Sequence, residues 1–142
     1  MEIAGRGGRT LDEAWGDVPR AYLGLTVPSF PNMFLLYGPN TNGGTGSVVN
    51  TIECGLGHVL AALRELERGG ARTIEVRPEV ADAFDRELRA ALAQSVWHSG
   101  CGNWYVDEHG NDPSNWPWTW SEYRRRTATL EPGAYALGAA AS

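Results

Sequence analysis

The sequence predicts a mixed α/β fold of short strands, two main helices and an aromatic, loop-rich C-terminal segment. Three observations predict it. The apolar run MFLLY breaks into GPNTNGGTGS and restarts at once as an amphipathic helix. A second amphipathic stretch follows a β-like segment, TIEV, and a proline. Of the six tryptophans, all but Trp15 lie between Trp97 and Trp120, among turn residues.

The elements follow in order. The first 32 residues are rich in glycine and proline, and AYLGLTVPSFPN (Ala21 to Asn32) reads as extended chain, because Pro28 and Pro31 bias the preceding residues away from helix. Asn32 to Tyr37 reads as a short buried strand stopped by Gly38-Pro39. After the loop, Val48, Ile52, Leu56, Val59, Leu63 and Leu66 recur at spacings of three and four and line one face of a helix. Thr45 or Ser47 caps its start, and Gly69-Gly70 ends it. Arg64, Glu65, Glu67 and Arg68 form the solvated side. Gly55 and Gly57 each weaken such a helix by about 1 kcal/mol relative to alanine, so both mark close approach of another backbone or a ligand. Thr73 to Val76 is a short strand, and Pro78 opens a second helix with Val80, Phe84, Leu88 and Leu92 on one side. Residues 135–142 read as a disordered tail after a unit spanning residues 1–134.

Composition narrows the function. A chain of 142 residues with 42% hydrophobic side chains has the size and core of one domain. A net charge of -5 argues against nucleic acid or an anionic membrane as the main partner. No stretch reaches membrane-spanning length, MEIAGRGGRT has no signal-peptide core, and two cysteines make no disulfide framework, so a reducing cytoplasm is the default setting. All 12 basic residues are arginine, which excludes a Walker-type phosphate loop and Schiff-base chemistry.

The glycine loop carries the strongest chemical signal. A strand, a loop of small residues and a helix start together offer backbone N–H groups and a positive helix end to an electron-rich ligand. The ligand's lone pairs could belong to phosphate, carboxylate or the N1–C2=O edge of a flavin; a flexible turn is the alternative. The dinucleotide pattern G-x-G-x-x-G is absent: Gly44-Thr45-Gly46 runs on to Val49, so this loop does not hold a pyrophosphate in the usual way.

Several ordered blocks resemble the C-terminal portion of Baeyer–Villiger-type flavoprotein monooxygenases, in the branch that contains 4-hydroxyacetophenone monooxygenase. They are GRGGRTLDEAW (Gly5 to Trp15), AYLGLTVPSFPNMFLLYGPNT (Ala21 to Thr41), GTGSVVNTIE (Gly44 to Glu53) and VWHSGCGNWYVDEHG (Val96 to Gly110). Trp116-Pro117 and YRRRT (Tyr123 to Thr127) continue the match, which covers nearly the whole chain. The resemblance implies the C-terminal fragment of an FAD/NAD(P)-binding Rossmann-type domain. It also implies FAD reduced by NADPH, consumption of O2, and oxygen insertion into a small-molecule ketone or oxygenation of sulfur or nitrogen. Gly38, Pro39, Asn40, Thr41, Gly46 and Ser47 are the residues it places beside the flavin ring, and Trp104 and Tyr105 those it places along the NADP and substrate route. The family's two upstream glycine motifs, its fingerprint and its active-site arginine are not in this sequence, so the expected partner is the missing N-terminal portion. The chain alone is expected to be inactive, with no catalytic residue of its own. Three positions depart from the family pattern: Ser29 stands in place of a glycine, Gly55 in place of a glutamine, and Asn111 in place of a basic residue.

The remaining side chains have plainer readings. Trp97 and Trp116 are expected to pack, while Trp104 leans towards a ligand. The same aromatics on a small non-catalytic module, with a surface suited to carbohydrate, form the rival reading. His98, Cys101 and His109 match no common zinc spacing, so no metal is expected. His58 reads as a surface or packing residue on a helix flank, Glu53 as a brace near the loop, Glu13 as a solvated charge, and Arg124 to Arg126 as surface or as a contact to the missing portion.

Overall fold

A computed structural model describes residues 2–44, 46–96 and 104–139. The chain opens with a 3-10 turn at Arg6–Gly8 and a short helix α1, Leu11–Trp15, then runs without regular structure to α2, Val48–Gly69. Strand β1 (Thr73–Val76), helix α3 (Pro78–Ala93), helix α4 (Trp120–Thr127) and strand β2 (Tyr135–Gly138) complete it. β1 and β2 pair antiparallel, with Thr73 opposite Gly138 and Val76 opposite Tyr135. No helix among the described residues is long and apolar enough to cross a membrane.

Both main helices form where the apolar periodicity places them. Ser47 caps α2 by accepting from the Val49 N–H at 3.2 Å. At its other end Gly70, at φ 58, turns the chain left-handed, and the Ala71 N–H closes on the Leu66 carbonyl. α3 begins on Pro78 and buries Phe84, Leu88 and Leu92, with Val80 packed beside them. These side chains meet Tyr22, Leu23, Leu25, Val76, Trp116 and Tyr123 in the main core.

Three expectations are corrected. Asn32 to Tyr37 is not a strand: the segment is half-buried to exposed, and its only ladder-like bonds are Asn32 N–H to Ile74 O and Leu35 N–H to Leu25 O. An apolar run becomes a strand only where a neighbouring strand accepts its hydrogen bonds, and no strand among the described residues does so there. Tyr135 to Gly138 are not tail but β2, and their pairing closes the sheet; the last three residues lie outside the described part.

The third correction concerns α2. Its buried face is Thr51, Gly55, His58 and Ala62, while Val48, Leu56 and Leu63 of the predicted stripe are exposed, together with Val49 and Leu60. The small-residue face packs inward because it admits Leu25 and Leu36, whose side chains come within van der Waals range of Gly55. The apolar stripe points away from the rest of the chain.

Candidate functional site

The loop from Gly38 to Ser47 divides into a half that is tied down and a half that is open. Gly38 packs against the Gly24 carbonyl and Leu35, and its own carbonyl accepts from the Thr41 hydroxyl at 2.7 Å. Asn40 is 6% exposed and sits at φ 56. Its main-chain N–H donates to Pro113 O at 2.8 Å, and its side-chain amide to Asp112 O at 2.7 Å and Asn115 O at 3.1 Å. Asn42 continues the seam: its N–H donates to Ser114 O, its carbonyl accepts from Trp116 N–H, and its amide donates to Asn115 Oδ1.

The segment Asp112 to Trp116 therefore braces the loop, a partner that reasoning from sequence missed. Its signal was legible in DPSN: the Asp112 carboxylate accepts from the Ser114 and Asn115 N–H groups and from the Asn115 side chain, a turn built on an aspartate. Asn115 is fully buried, so its own two bonds to the Asp112 carboxylate are made away from water.

The open half starts at Gly43. The main-chain N–H groups of Gly43, Gly46, Ser47 and Val48 have no acceptor among the described residues. A side chain placed at Gly46, φ 136, would meet nothing within 4 Å. These residues line a hollow of about 80 Å³ with Thr41, Tyr37 and Trp120. Of the expected flavin-side residues, Thr41, Gly46 and Ser47 come together here, while Gly38, Pro39 and Asn40 lie outside the lining. Glu53 is exposed and bonds to no part of the loop among the described residues.

Trp104 is 100% exposed. Tyr105 is half-buried, and beyond it the Asp107 carboxylate accepts from the N–H groups of His109 and Asn111 and from the Asn111 amide. Those bonds hold the Asp107 carboxyl below its ordinary pKa, the Asn111 amide contributing most. Among the described residues no three His, Cys, Asp or Glu side chains gather as a metal would require; Trp97, His98 and Cys101 lie outside them. Trp116 is buried against Trp118 and Tyr123, with ring centroids 4.8 and 5.0 Å away.

Two residues read as surface or solvated, Glu13 and Arg126, have firmer roles, and His58 takes the packing alternative. His58 is fully buried in α2. Glu13 closes a capping box with Thr10 at the start of α1. Arg126 pairs with Glu87 and Glu122 and lies 4.4 Å over the Trp118 ring, which explains why it is largely buried. The two arginine partners Arg125 and Arg126 bring the Glu122 carboxyl down to about 2.

A braced glycine loop runs into a helix N-terminus with open amides on one side, an arrangement that can present N–H donors to an electron-rich group. The fold has known counterparts. It superposes on an oxidised steroid monooxygenase bound to NADP with a TM-score of 0.80 and 30% identity, over 96% of this chain and 26% of that one. It matches a closed crystal structure of cyclohexanone monooxygenase with a TM-score of 0.78 and 26% identity, over 99% of this chain and 27% of that one. In sequence it is 38% identical over 138 residues to a Baeyer-Villiger monooxygenase of Pseudomonas aeruginosa, covering 95% of this chain and 26% of the relative. It is 33% identical over 135 residues to an FAD-binding monooxygenase of Aspergillus niger, covering 92% of this chain and 22% of the relative. No family model matches. In sequence and fold the chain is similar to one segment of Baeyer–Villiger and FAD-binding monooxygenases, and it spans about a quarter of the length of the curated relatives it matches.

Proposed function

We propose that this chain is the C-terminal part of an FAD- and NADPH-dependent monooxygenase and supplies one wall of its flavin site. The reaction would insert an oxygen atom from O2 into a small-molecule ketone, or oxygenate sulfur or nitrogen. The observation that carries this reading is the set of main-chain N–H groups at Gly43, Gly46, Ser47 and Val48 that find no acceptor among the described residues. FAD, when bound, supplies the redox chemistry and the activation of O2. The chain's residues bind and orient it. Small side chains at Gly43, Gly44 and Gly46 let a planar ring approach the main chain, and the start of α2 favours the N1–C2=O rim, where charge gathers on reduction. The Asn40, Asp112 and Asn115 seam fixes the loop from behind, so those donors keep their direction. Trp104 and Tyr105 would line the NADP and substrate route and exclude water there; full exposure suits a ring that closes over a cofactor.

The hollow of about 80 Å³ is far smaller than a complete ligand site of about 300–1,000 Å³, which fits a wall completed by another portion of protein. The exposed row Val49, Leu56, Leu60 and Leu63 on α2 gives that portion an apolar surface to cover. The test is co-expression in a cytoplasmic host with the remaining portion of the Pseudomonas aeruginosa relative, which this chain does not match. The expected result is a complex that retains FAD, that loses it in Gly43→Val, and that fails to form with Leu60→Glu/Leu63→Glu. Tight FAD retention by the chain alone, or a complex whose flavin ignores Gly43→Val, would overturn the reading.

A further inference from the structure

Trp120 holds an unanswered hydrogen-bond donor. Its indole Nε1 is the one buried side-chain polar atom without a partner among the described residues, and its ring lines the hollow beside Gly43 and Gly46. The other indoles for which a bond is seen are satisfied internally: Trp15 donates to Arg20 O at 2.7 Å and Trp116 to Thr119 O at 3.2 Å. A native chain rarely leaves a buried N–H unpaired, since the group loses its water and receives nothing in return. The Trp120 ring is held in place. It stacks on Tyr123 at a centroid distance of 5.3 Å and 20° between planes, and Tyr123 is fully buried with its hydroxyl on Leu23 O.

An indole N–H only donates, so the absent group is an acceptor. The unpaired main-chain groups around the same hollow are donors too. The lining is therefore matched to a rim that presents oxygen or nitrogen lone pairs and no N–H in that direction. We propose that Trp120 is a ligand-binding residue whose indole N–H donates to a pyrimidine carbonyl oxygen of the flavin ring seated against the glycine loop. This assignment rests on the flavin reading above and adds to it a side chain from α4, some 75 residues beyond the loop. The ring would touch the cofactor rim through its N–H edge while its face stays on Tyr123.

The experiment is nuclear magnetic resonance of the chain labelled with 15N, with FMN as the probe at millimolar concentration. The indole signal of Trp120 is identified by its loss in Trp120→Phe. In the free chain this indole proton should resonate upfield of those of Trp15 and Trp116, which have acceptors. On adding FMN it should move downfield, while the amides of Gly43 and Gly46 shift with it. Trp120→Phe should weaken FMN binding about 3- to 10-fold, the value of one buried hydrogen bond. Shifts at Gly43 and Gly46 with a silent indole, or unchanged affinity in Trp120→Phe, would leave the flavin reading standing and overturn the Trp120 assignment. An indole proton already at the downfield position of Trp15 and Trp116 without FMN would show an internal acceptor and overturn it as well. No shift at any of the three would overturn the flavin reading and this assignment together.

Discussion

His58 Nε2 lies 2.8 Å from the Tyr135 hydroxyl, and this contact locks α2 to β2. His58 Nδ1 is 3.1 Å from the Thr127 carbonyl, which can only accept, so Nδ1 carries the proton and Nε2 receives the Tyr135 O–H. The Thr26 hydroxyl, 3.2 Å from Tyr135, then donates to the tyrosine oxygen. Burial lowers the His58 pKa below its ordinary 6.5, against a smaller opposing effect of the Thr127 bond. The imidazole is neutral in the folded chain, and burial likewise raises the phenol of Tyr135.

A pH dependence follows. Below 6.5 the unfolded chain takes up a proton at His58 that the folded chain refuses, so the unfolded state binds more protons and stability drops as the pH is lowered. The contribution is complete above 6.5 and is lost progressively as pH drops through that value towards the folded pKa. Urea denaturation at pH 7.5 and pH 5.5 should show lower stability at the acid value, and His58→Gln should remove most of the difference. An unchanged slope in that variant would disprove the assignment to His58.

Asn40 should be intolerant of change for two separable reasons. Asn40→Ala deletes both side-chain bonds, leaves the buried Asp112 and Asn115 carbonyls short of a donor, and puts at φ 56 a residue that tolerates the left-handed region less well than asparagine. The expected loss is about 2–4 kcal/mol. Asn40→Gly removes the same bonds without the backbone strain and should lose about 1 kcal/mol less. Equal losses in chemical denaturation would show that strain contributes nothing.

The two glycines of α2 should behave oppositely. A side chain at Gly57 meets nothing within 4 Å, so Gly57→Ala should stabilise the chain by about 0.5–1 kcal/mol through helix propensity. At Gly55 a Cβ would stand 3.1 Å from the fully buried Leu25 Cδ2, so the same change should bring no benefit. The melting temperatures of the two variants test this. The close approach at Gly55 also explains why this chain does not carry the glutamine expected there: the longer side chain has no room.

Ser29 takes φ 72, a conformation natural to the glycine it replaces. Its N–H donates to the Glu75 side chain at 2.7 Å and its carbonyl accepts from Arg6 N–H, so the turn is held by bonds that any residue could make. Ser29→Gly should therefore raise stability by up to about 1 kcal/mol, read as a higher melting temperature. A lower one would mean that the hydroxyl has an unrecognised role.

The sequence by itself determined α2, α3, β1 and the family resemblance. Periodicity and caps set α2 and α3, because hydrogen bonding within a helix depends on neighbours three and four residues away. TIEV was legible as a strand for its β-branched run between turn residues. The ordered blocks carried the resemblance, and the glycine loop marked the candidate site. Which face of α2 turns inward was decided only by the tertiary structure. Hydrophobicity names the stripe that avoids water, but close packing selects the face with Gly55 and Ala62, where another backbone fits. The seam between Asn40 and Asn115, the burial of His58 against Tyr135 and the lone donor of Trp120 likewise join residues about 75 positions apart. Such contacts depend on how the chain returns upon itself, and no local pattern records that.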